Sequence, residues 1–180
     1  ASYDLFCKSL NSKTPNLLDI GCGPGNITKY LLSKLPKSNI EGIDIAPNMV
    51  TLAKKNKPKA RFYEMDIRSI DTLSSKYNGI ICGFGLPYLS KTDCKALIKN
   101  CFNLLDTNGV LYLSFVEGNY EDSGYISGSS GDQVFFYYHN LDTIKQLLTT
   151  YLFKTIEVTY VDYPKNDTII EKHTIVIAKK

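Results

Sequence analysis

Residues 17–25 read Leu-Leu-Asp-Ile-Gly-Cys-Gly-Pro-Gly, so a short apolar run leads into three glycines at every second position. The apolar run predicts a buried strand. Glycine tolerates a tight turn, and without a Cβ atom it lets backbone N–H groups come close to a ligand. A helical pattern over residues 26–35 places this turn at a helix N-terminus, which suits an anionic or carboxylate-bearing ligand. Strand, glycine turn and helix together predict a nucleoside-cofactor site.

The alternation of strand and helix patterns continues along the chain and predicts an α/β fold. Such alternation implies right-handed crossovers and a doubly wound parallel sheet with helices on both faces. A final pair of alternating strands predicts an antiparallel hairpin joined by a turn at 164–167. Strands are predicted at residues 17–20, 40–45, 61–65, 79–83, 110–116, 134–138, 154–163 and 168–178, and helices at 28–35, 47–56, 90–105 and 141–152.

Length and charge exclude several classes of protein. The 180 residues show no internal repeat and no second set of elements, so a single domain over 1–180 is expected. The net charge is only +3, and of 21 basic residues only Arg61 and Arg68 are arginines, which argues against a nucleic-acid partner. No apolar run of ~18 residues indicates a membrane span. No signal peptide is visible, so a cytoplasmic location is expected.

The cysteines and histidines do not form a recognisable metal site. Five cysteines are present without a CxxC pair, which favours a reduced, intracellular protein with buried thiols. The two histidines lie far apart in the sequence and lack the spacing of metal ligands, so no metal is expected.

Four short motifs, in this order and spacing, give the chain its family resemblance. The glycine turn is preceded by Asp19, a second acid ends strand two at Asp44, a third follows strand three at Asp66, and residues 105–111 lead into strand five. From about residue 17 to the end, the chain resembles the class I S-adenosylmethionine-dependent methyltransferases. The resemblance implies a Rossmann-like, seven-stranded sheet of order 3-2-1-4-5-7-6 with strand 7 antiparallel. It also implies S-adenosylmethionine as cofactor and S-adenosylhomocysteine as product.

A nicotinamide-binding Rossmann domain is the nearest rival, because it too has a glycine turn and an acid at the end of strand two. Its fingerprint is G-x-G-x-x-G. Counted from Gly21, the third glycine of that fingerprint falls on Asn26, whereas the glycines here stand at 21, 23 and 25. This spacing favours the methyltransferase over the dehydrogenase.

The resemblance assigns cofactor-binding roles to individual residues. Glycines 21 and 23 would lie under the methionine and ribose, Asp44 would accept from both ribose hydroxyls, and Asp19 would lie near the ammonium end. Asp44 and Asp66 also fit as helix-cap or turn residues, and the two residues expected to sandwich the adenine also fit the core. The full set of expected cofactor-binding residues is Asp19, Gly21, Cys22, Gly23, Gly25, Asp44, Ile45, Met49, Asp66, Ile67, Gly83 and Phe84. In this set the Asp66 carboxylate and the Ile67 N–H would meet the adenine, Ile45 and Met49 would sandwich it, and a carbonyl at Gly83 or Phe84 would meet the ammonium group.

The segment after strand four argues against methylation of nucleic-acid bases. Residues 83–88 read Gly-Phe-Gly-Leu-Pro-Tyr, without the Asn/Asp-Pro-Pro motif of amino-methylating enzymes or the Pro-Cys nucleophile of cytosine-C5 enzymes. The acceptor is therefore expected to be a small molecule, methylated at oxygen, nitrogen or carboxylate mainly by positioning. A non-catalytic cofactor-binding protein and an RNA or protein methyltransferase remain as alternatives.

Aromatic residues concentrate in the two regions that build the acceptor pocket in this family. One is the segment 1–16, with Tyr3 and Phe6, and the other follows strand five at residues 120–139. In the second region His139 is a candidate general base, and Tyr88, in the segment after strand four, is a candidate for orienting the acceptor. Glycine- and serine-rich residues 118–133 are expected to form an irregular lid loop.

Overall fold

A mixed sheet of seven strands organises the computed structural model, which describes residues 2–127, 133–164 and 170–180. The strand order is β3-β2-β1-β4-β5-β9-β8. The first five strands are parallel to their neighbours, whereas β9 pairs antiparallel with β5 and β8 pairs antiparallel with β9. The strands of this sheet are β1 (Asn16–Ile20), β2 (Asn39–Asp44), β3 (Arg61–Glu64), β4 (Tyr77–Gly83), β5 (Leu105–Val116), β8 (Lys154–Pro164) and β9 (Ile170–Lys179).

This topology confirms the predicted fold class. A separate two-stranded hairpin, β6 (Gly124–Ser127) with β7 (Gln133–Phe136), lies between β5 and the final strands in the sequence. If the strands of the large sheet alone are numbered, β8 becomes strand 6 and β9 becomes strand 7. The order is then 3-2-1-4-5-7-6 with strand 7 antiparallel, as the resemblance implies. The antiparallel last pair follows from the length and alternation of the two C-terminal strands, because a short turn cannot join parallel neighbours.

Local sequence signals mark the N-termini of three helices. In the helix Lys91–Leu104, Ser90 forms a capping box with Asp93, and in the helix Leu141–Thr150, the Asn140 side chain accepts from the Asp142 N–H. Pro47 opens α3 at the first helical position. The helices are α1 (Ser2–Ser9), α2 (Asn26–Lys34), α3 (Pro47–Asn56), α4 (Lys91–Leu104) and α5 (Leu141–Thr150), and 3-10 turns span Ile67–Thr72, Leu86–Tyr88 and Tyr120–Asp122. In the described part of the chain, no helix is both long and apolar enough to span a membrane.

Apolar side chains are buried on both faces of the sheet. On one face, residues of β1, β4 and β5 such as Leu18 and Ile80 pack with α4 and α5. On the other, Phe6 of α1 is fully buried and its ring lies 6.1 Å from that of Tyr112. Phe6 is therefore a core residue rather than a pocket residue, because α1 lies flat against this face of the sheet.

Two local predictions are wrong. Strand β5 begins at Leu105 rather than at residue 110. Leu105 already pairs with Tyr77 of β4, and the register then shifts before Val110 pairs with Gly79. Asn108, with a φ of 62°, lies within this irregularity. In the described part of the predicted loop, residues 118–127 are not irregular, because they contain a 3-10 turn and strand β6, which pairs with β7. Cross-strand packing explains the hairpin, with the rings of Tyr125 and Phe135 5.1 Å apart. The remainder of that segment, 128–132, and most of the predicted turn after β8 lie outside the described residues.

Candidate active site

The glycine turn leaves two positions open toward empty space. Gly21 and Gly23 have φ values of +67° and +51°, and a Cβ atom at either would meet no other atom within 4 Å. Gly25 has a φ of +86°, but a Cβ there would touch Ala53 and Lys57 at 3.4–3.6 Å. The first two glycines therefore form a cradle for a ligand, while Gly25 faces Ala53 and Lys57 and is needed for the turn because of its positive φ.

Asp44, at the end of β2, holds this cradle in place. Its Oδ2 accepts a hydrogen bond from the Gly23 N–H at 2.8 Å, and its Oδ1 accepts from the Ala46 N–H at 2.9 Å. Ala46, not Asp44, is the N-cap residue of α3. A carboxylate offers about four acceptor positions, so these two bonds leave capacity for a ligand's hydroxyl groups.

Asp19 lies behind the turn, fully buried at the end of β1. Its Oδ2 accepts from the Thr28 hydroxyl at 2.6 Å, whereas its Oδ1 has no hydrogen-bond partner among the described residues. Burial raises the pKa of Asp19 to about 6, and the nearby charge of Asp44 adds to that rise. An unpartnered buried carboxylate oxygen indicates that a donor group is missing at this point.

A cavity of about 560 Å³ opens at the carboxyl ends of the strands, in front of the glycine turn. Eight of the expected site residues line it: Gly21, Asp44, Ile45, Asp66, Ile67, Gly83, Phe84 and Tyr88. Lining residues without an expected role are Ile43, Met65, Arg68, Gly85, Val134, Phe135 and Tyr137. Six expected residues do not line it: Asp19, Cys22, Gly23, Gly25, Met49 and His139.

The side chain of Cys22 packs away from the cavity. It lies in a buried cluster with Val50, Ala53 and Phe62, and burial raises the pKa of its thiol to about 12. Only the backbone of Cys22 belongs to the turn, through an N–H that donates to the Ile43 carbonyl at 2.9 Å. Met49 lies in α3 off the cavity lining, so of the two residues expected to sandwich an adenine only Ile45, which is 63% exposed, lines the cavity.

Asp66 and Arg68 form the wall of the cavity next to β3. Asp66 caps the 3-10 turn by accepting from the Arg68 N–H at 2.8 Å, which is the capping role that the sequence left open. The Arg68 guanidinium contacts both Asp66 oxygens at 3.2 Å, donates to the Tyr88 carbonyl at 3.0 Å and lies 3.5 Å from Asp93. Arg68 thus joins the turn after β3 to the turn after β4 and to α4.

Phe84 is held in an unusual backbone conformation at the end of β4. Its φ is 65°, and its N–H donates to the Ser114 hydroxyl at 2.9 Å. The ring stacks on His173 of β9 with centroids 4.8 Å apart, and the Tyr163 ring lies 5.1 Å from the same imidazole. Sequence reasoning missed this stack, because Phe84 and His173 lie 89 positions apart and the stack has no local signal.

The far side of the cavity is lined by aromatic side chains, here called the aromatic wall: Phe84, Tyr88, Phe135 and Tyr137. The Tyr137 N–H donates to the Pro87 carbonyl at 2.7 Å, which ties the residue after β7 to the turn after β4. The rings of Phe135 and Tyr137 lie 4.6 Å apart. The sequence identified this aromatic run but could not say which of its members face the cavity.

The predicted place of His139 at the pocket mouth is wrong. The residue is 3% exposed, and its Nε2 lies 3.0 Å from the Leu86 carbonyl and 3.1 Å from the Leu89 carbonyl. Since a carbonyl only accepts, Nε2 carries the proton and donates to both. Burial lowers the pKa of His139. His139 therefore stabilises the turn that carries Tyr88, and it borders a separate depression next to Tyr120 and Asn140.

Comparisons with known proteins identify the family of this chain. A family model described as "Methyltransferase domain" matches residues 17–109, just over half of the chain. The chain is 35% identical over 108 residues to trans-aconitate 2-methyltransferase of Enterobacter sp. (strain 638), covering 60% of this chain and 42% of that protein. It is 35% identical over 100 residues to malonyl-[acyl-carrier protein] O-methyltransferase of Bacillus anthracis, covering 54% of this chain and 36% of that protein. The chain thus matches about two fifths of the length of these relatives.

Solved structures share the fold over nearly the whole chain. A SAM-dependent methyltransferase from Methanosarcina mazei superposes with a TM-score of 0.79 at 21% identity, covering 97% of this chain and 96% of that one. Magnesium protoporphyrin IX methyltransferase from Synechocystis PCC 6803, solved with bound SAM, gives a TM-score of 0.74 at 20% identity, covering 98% and 75%. At these identities the likeness shows the fold.

Proposed function

The chain belongs to the class I S-adenosylmethionine-dependent methyltransferases, and from that premise we propose that it transfers the methyl group to a small-molecule acceptor. The observation that carries the proposal is the open cradle of Gly21 and Gly23, held by Asp44 at one end of a 560 Å³ cavity. A pocket of this size is in the range of small-molecule sites.

The residues at this end fit the cofactor. The backbone of the glycine turn would lie under it, Asp44 would accept from the ribose hydroxyls, and Asp66 with the Ile67 N–H would meet the adenine. Ile45 offers an exposed apolar face for that ring. The unpartnered Oδ1 of Asp19 would receive a proton donor from the ammonium end, directly or through a water.

When bound, S-adenosylmethionine supplies a methyl group already activated on a sulfonium. The work left to the chain is to hold the acceptor atom in line at about 3–3.5 Å and to exclude water. We propose Tyr88, 44% exposed on the cavity, as the residue that orients the acceptor. The buried His139 is not proposed as a base, and an acceptor that is unprotonated at working pH needs none.

The named acceptors of the relatives support a small-molecule acceptor. Trans-aconitate is a free metabolite, and the malonyl group of the second relative is presented on a carrier protein. Nucleic acid is not proposed, since the net charge is only +3 and one of the two arginines, Arg68, is bound to Asp66 and Asp93.

A methyl-donor assay over a metabolite library tests this proposal. We expect acceptor-dependent release of S-adenosylhomocysteine, measured by mass spectrometry, and its loss in Asp44→Ala. Total RNA and a protein extract serve as separate arms. Release only in one of those arms would contradict the small-molecule proposal, and tight S-adenosylhomocysteine binding without turnover in any arm would indicate a non-catalytic binding protein. NAD should not bind comparably in calorimetry.

A further inference from the structure

We infer that the acceptor is a flat, largely apolar molecule and that it is not a polycarboxylate. The inference rests on the proposed function and concerns the half of the cavity that the cofactor-fitting groups leave free. Two observations carry it together. An aromatic wall faces the cavity, and the one cation that lines the cavity among the described residues, Arg68, is already bound to carboxylates.

The aromatic wall is built as a rigid surface. Phe135 and Tyr137 lie in contact with each other, and Tyr120 stacks on the other side of Tyr137 at 5.9 Å with an interplanar angle of 23°. Between them in sequence, Phe136 is 7% exposed and turns inward toward Phe84 and Tyr88. Because these rings are fixed by their neighbours, a flat ligand can stack on them without ordering the wall first.

The charges along the cavity argue against an anionic acceptor. The described lining residues carry three full charges, the carboxylates of Asp44 and Asp66 and the guanidinium of Arg68. Arg68 already contacts both Asp66 oxygens, the Tyr88 carbonyl and Asp93. A polycarboxylate would therefore lose its hydration without gaining a free cationic partner, and buried charges without partners are strongly disfavoured.

The same wall could instead cover the adenine of the cofactor, and the experiment separates these two arrangements. The polar groups that a nucleoside and an amino-acid end require lie at the glycine turn and at Asp66. The wall carries no charged group: it offers four rings, two of them with a tyrosine hydroxyl, and backbone, which suits a largely apolar acceptor. If the wall belonged to the cofactor site, removing a ring would weaken S-adenosylhomocysteine binding rather than acceptor binding.

Binding of two probes to the protein saturated with S-adenosylhomocysteine tests the inference. The probes are 2-naphthol, which is flat and neutral with one hydroxyl, and trans-aconitate, a tricarboxylate. The chain contains no tryptophan, so naphthol anisotropy is read without indole emission. We expect naphthol to bind, trans-aconitate at the same concentration not to displace it, and Phe135→Ala and Tyr137→Ala each to weaken naphthol binding about 3- to 10-fold.

Matched variants keep the result interpretable. Tyr160→Ala removes a ring of β8 that is 49% exposed and does not line the cavity, so naphthol affinity should be unchanged. Phe135→Leu keeps an apolar side chain and tests stacking should the alanine variant fail to fold.

Unchanged S-adenosylhomocysteine affinity in the wall variants supports the inference. Tighter binding of trans-aconitate than of naphthol, naphthol binding that ignores both ring deletions, or a tenfold loss of S-adenosylhomocysteine affinity in them would overturn it. Failure of the unmodified protein to bind S-adenosylhomocysteine would refute the proposed function instead.

Discussion

The two ends of the cavity present different chemical groups to a ligand. At the glycine end, the groups facing the space are backbone and carboxylates, fixed by bonds such as that from the Gly23 N–H to Asp44. At the other end, the surface is made of side chains that meet only because the β6–β7 hairpin folds onto the turn at Pro87. The glycine end should therefore govern cofactor affinity, and the aromatic wall should govern the acceptor.

The largest effect is expected at Gly21. A Gly21→Val side chain would fill the open cradle and strain a φ of +67°, so S-adenosylhomocysteine affinity should fall by about 4 kcal/mol, or ~1,000-fold. Gly21→Ala and Gly25→Ala form a matched pair, since both strain the backbone by about 1–2 kcal/mol but only the first faces the cavity. Calorimetry and thermal unfolding should show both variants destabilised and only Gly21→Ala impaired in binding. Equal binding losses in the pair would mean that turn geometry, not the open cradle, sets affinity.

Asp44 is the next largest. Asp44→Ala removes the acceptor from the Gly23 N–H and the expected ribose contact, so binding should weaken by about 1.5–3 kcal/mol, the range for hydrogen bonds to charged groups. Asp44→Asn retains one acceptor oxygen and should lose less. Calorimetry with S-adenosylhomocysteine measures both. A variant that loses stability but not affinity would limit Asp44 to supporting the turn.

Asp19 makes the glycine end sensitive to pH. Its pKa of about 6 lies above the ordinary value of 3.8, so the folded state binds the proton more tightly than the unfolded state. Stability should therefore fall as pH rises from about 4 to about 6, by up to about 3 kcal/mol relative to Asp19→Asn. The ionised form suits a cationic ammonium, so S-adenosylhomocysteine affinity should drop up to about tenfold between pH 7 and pH 5. Denaturant melts and calorimetry across this range check both. A flat affinity profile would place Asp19 outside the cofactor site.

This division also separates what the sequence could predict from what it could not. The glycines, Asp44 and Asp66 were predictable because positive φ angles and strand-end acids leave local signals. Cys22 and Met49 were misjudged because a motif gives the order of residues but not the direction of a side chain. A strand was predicted at 134–138, but its partner β6 falls in the predicted loop, because the pairing of Tyr125 with Phe135 gives stability only once the two strands meet. The stack of Phe84, His173 and Tyr163 depends on the register of β9 against β5, which no single segment encodes.

A smaller effect is expected at Asp66. Asp66→Asn keeps an oxygen for the Arg68 N–H but loses the charge that faces the guanidinium and the expected adenine amine. Binding should weaken by about 0.5–1.5 kcal/mol, the usual contribution of one hydrogen bond, with the fold unchanged. Calorimetry at constant salt and pH measures the difference. Equal affinity would leave Asp66 with only its capping role.

The smallest effect on binding is expected at His139, where the change should appear in stability alone. His139→Ala leaves the Leu86 and Leu89 carbonyls without their donor and opens a buried space, so unfolding free energy should fall by about 2–4 kcal/mol. His139→Gln, which keeps an N–H donor, should recover part of that loss.

Burial lowers the pKa of His139 in the folded state, so the unfolded chain binds the proton more readily as pH falls below 6.5. The wild type should therefore lose stability below that pH and His139→Gln should lose less, a trend opposite to that of Asp19. Denaturant melts at pH 5 and pH 8 measure it, with S-adenosylhomocysteine affinity unchanged at pH 8. If turnover instead falls about 100-fold in His139→Gln at equal stability, His139 acts as a general base despite its burial.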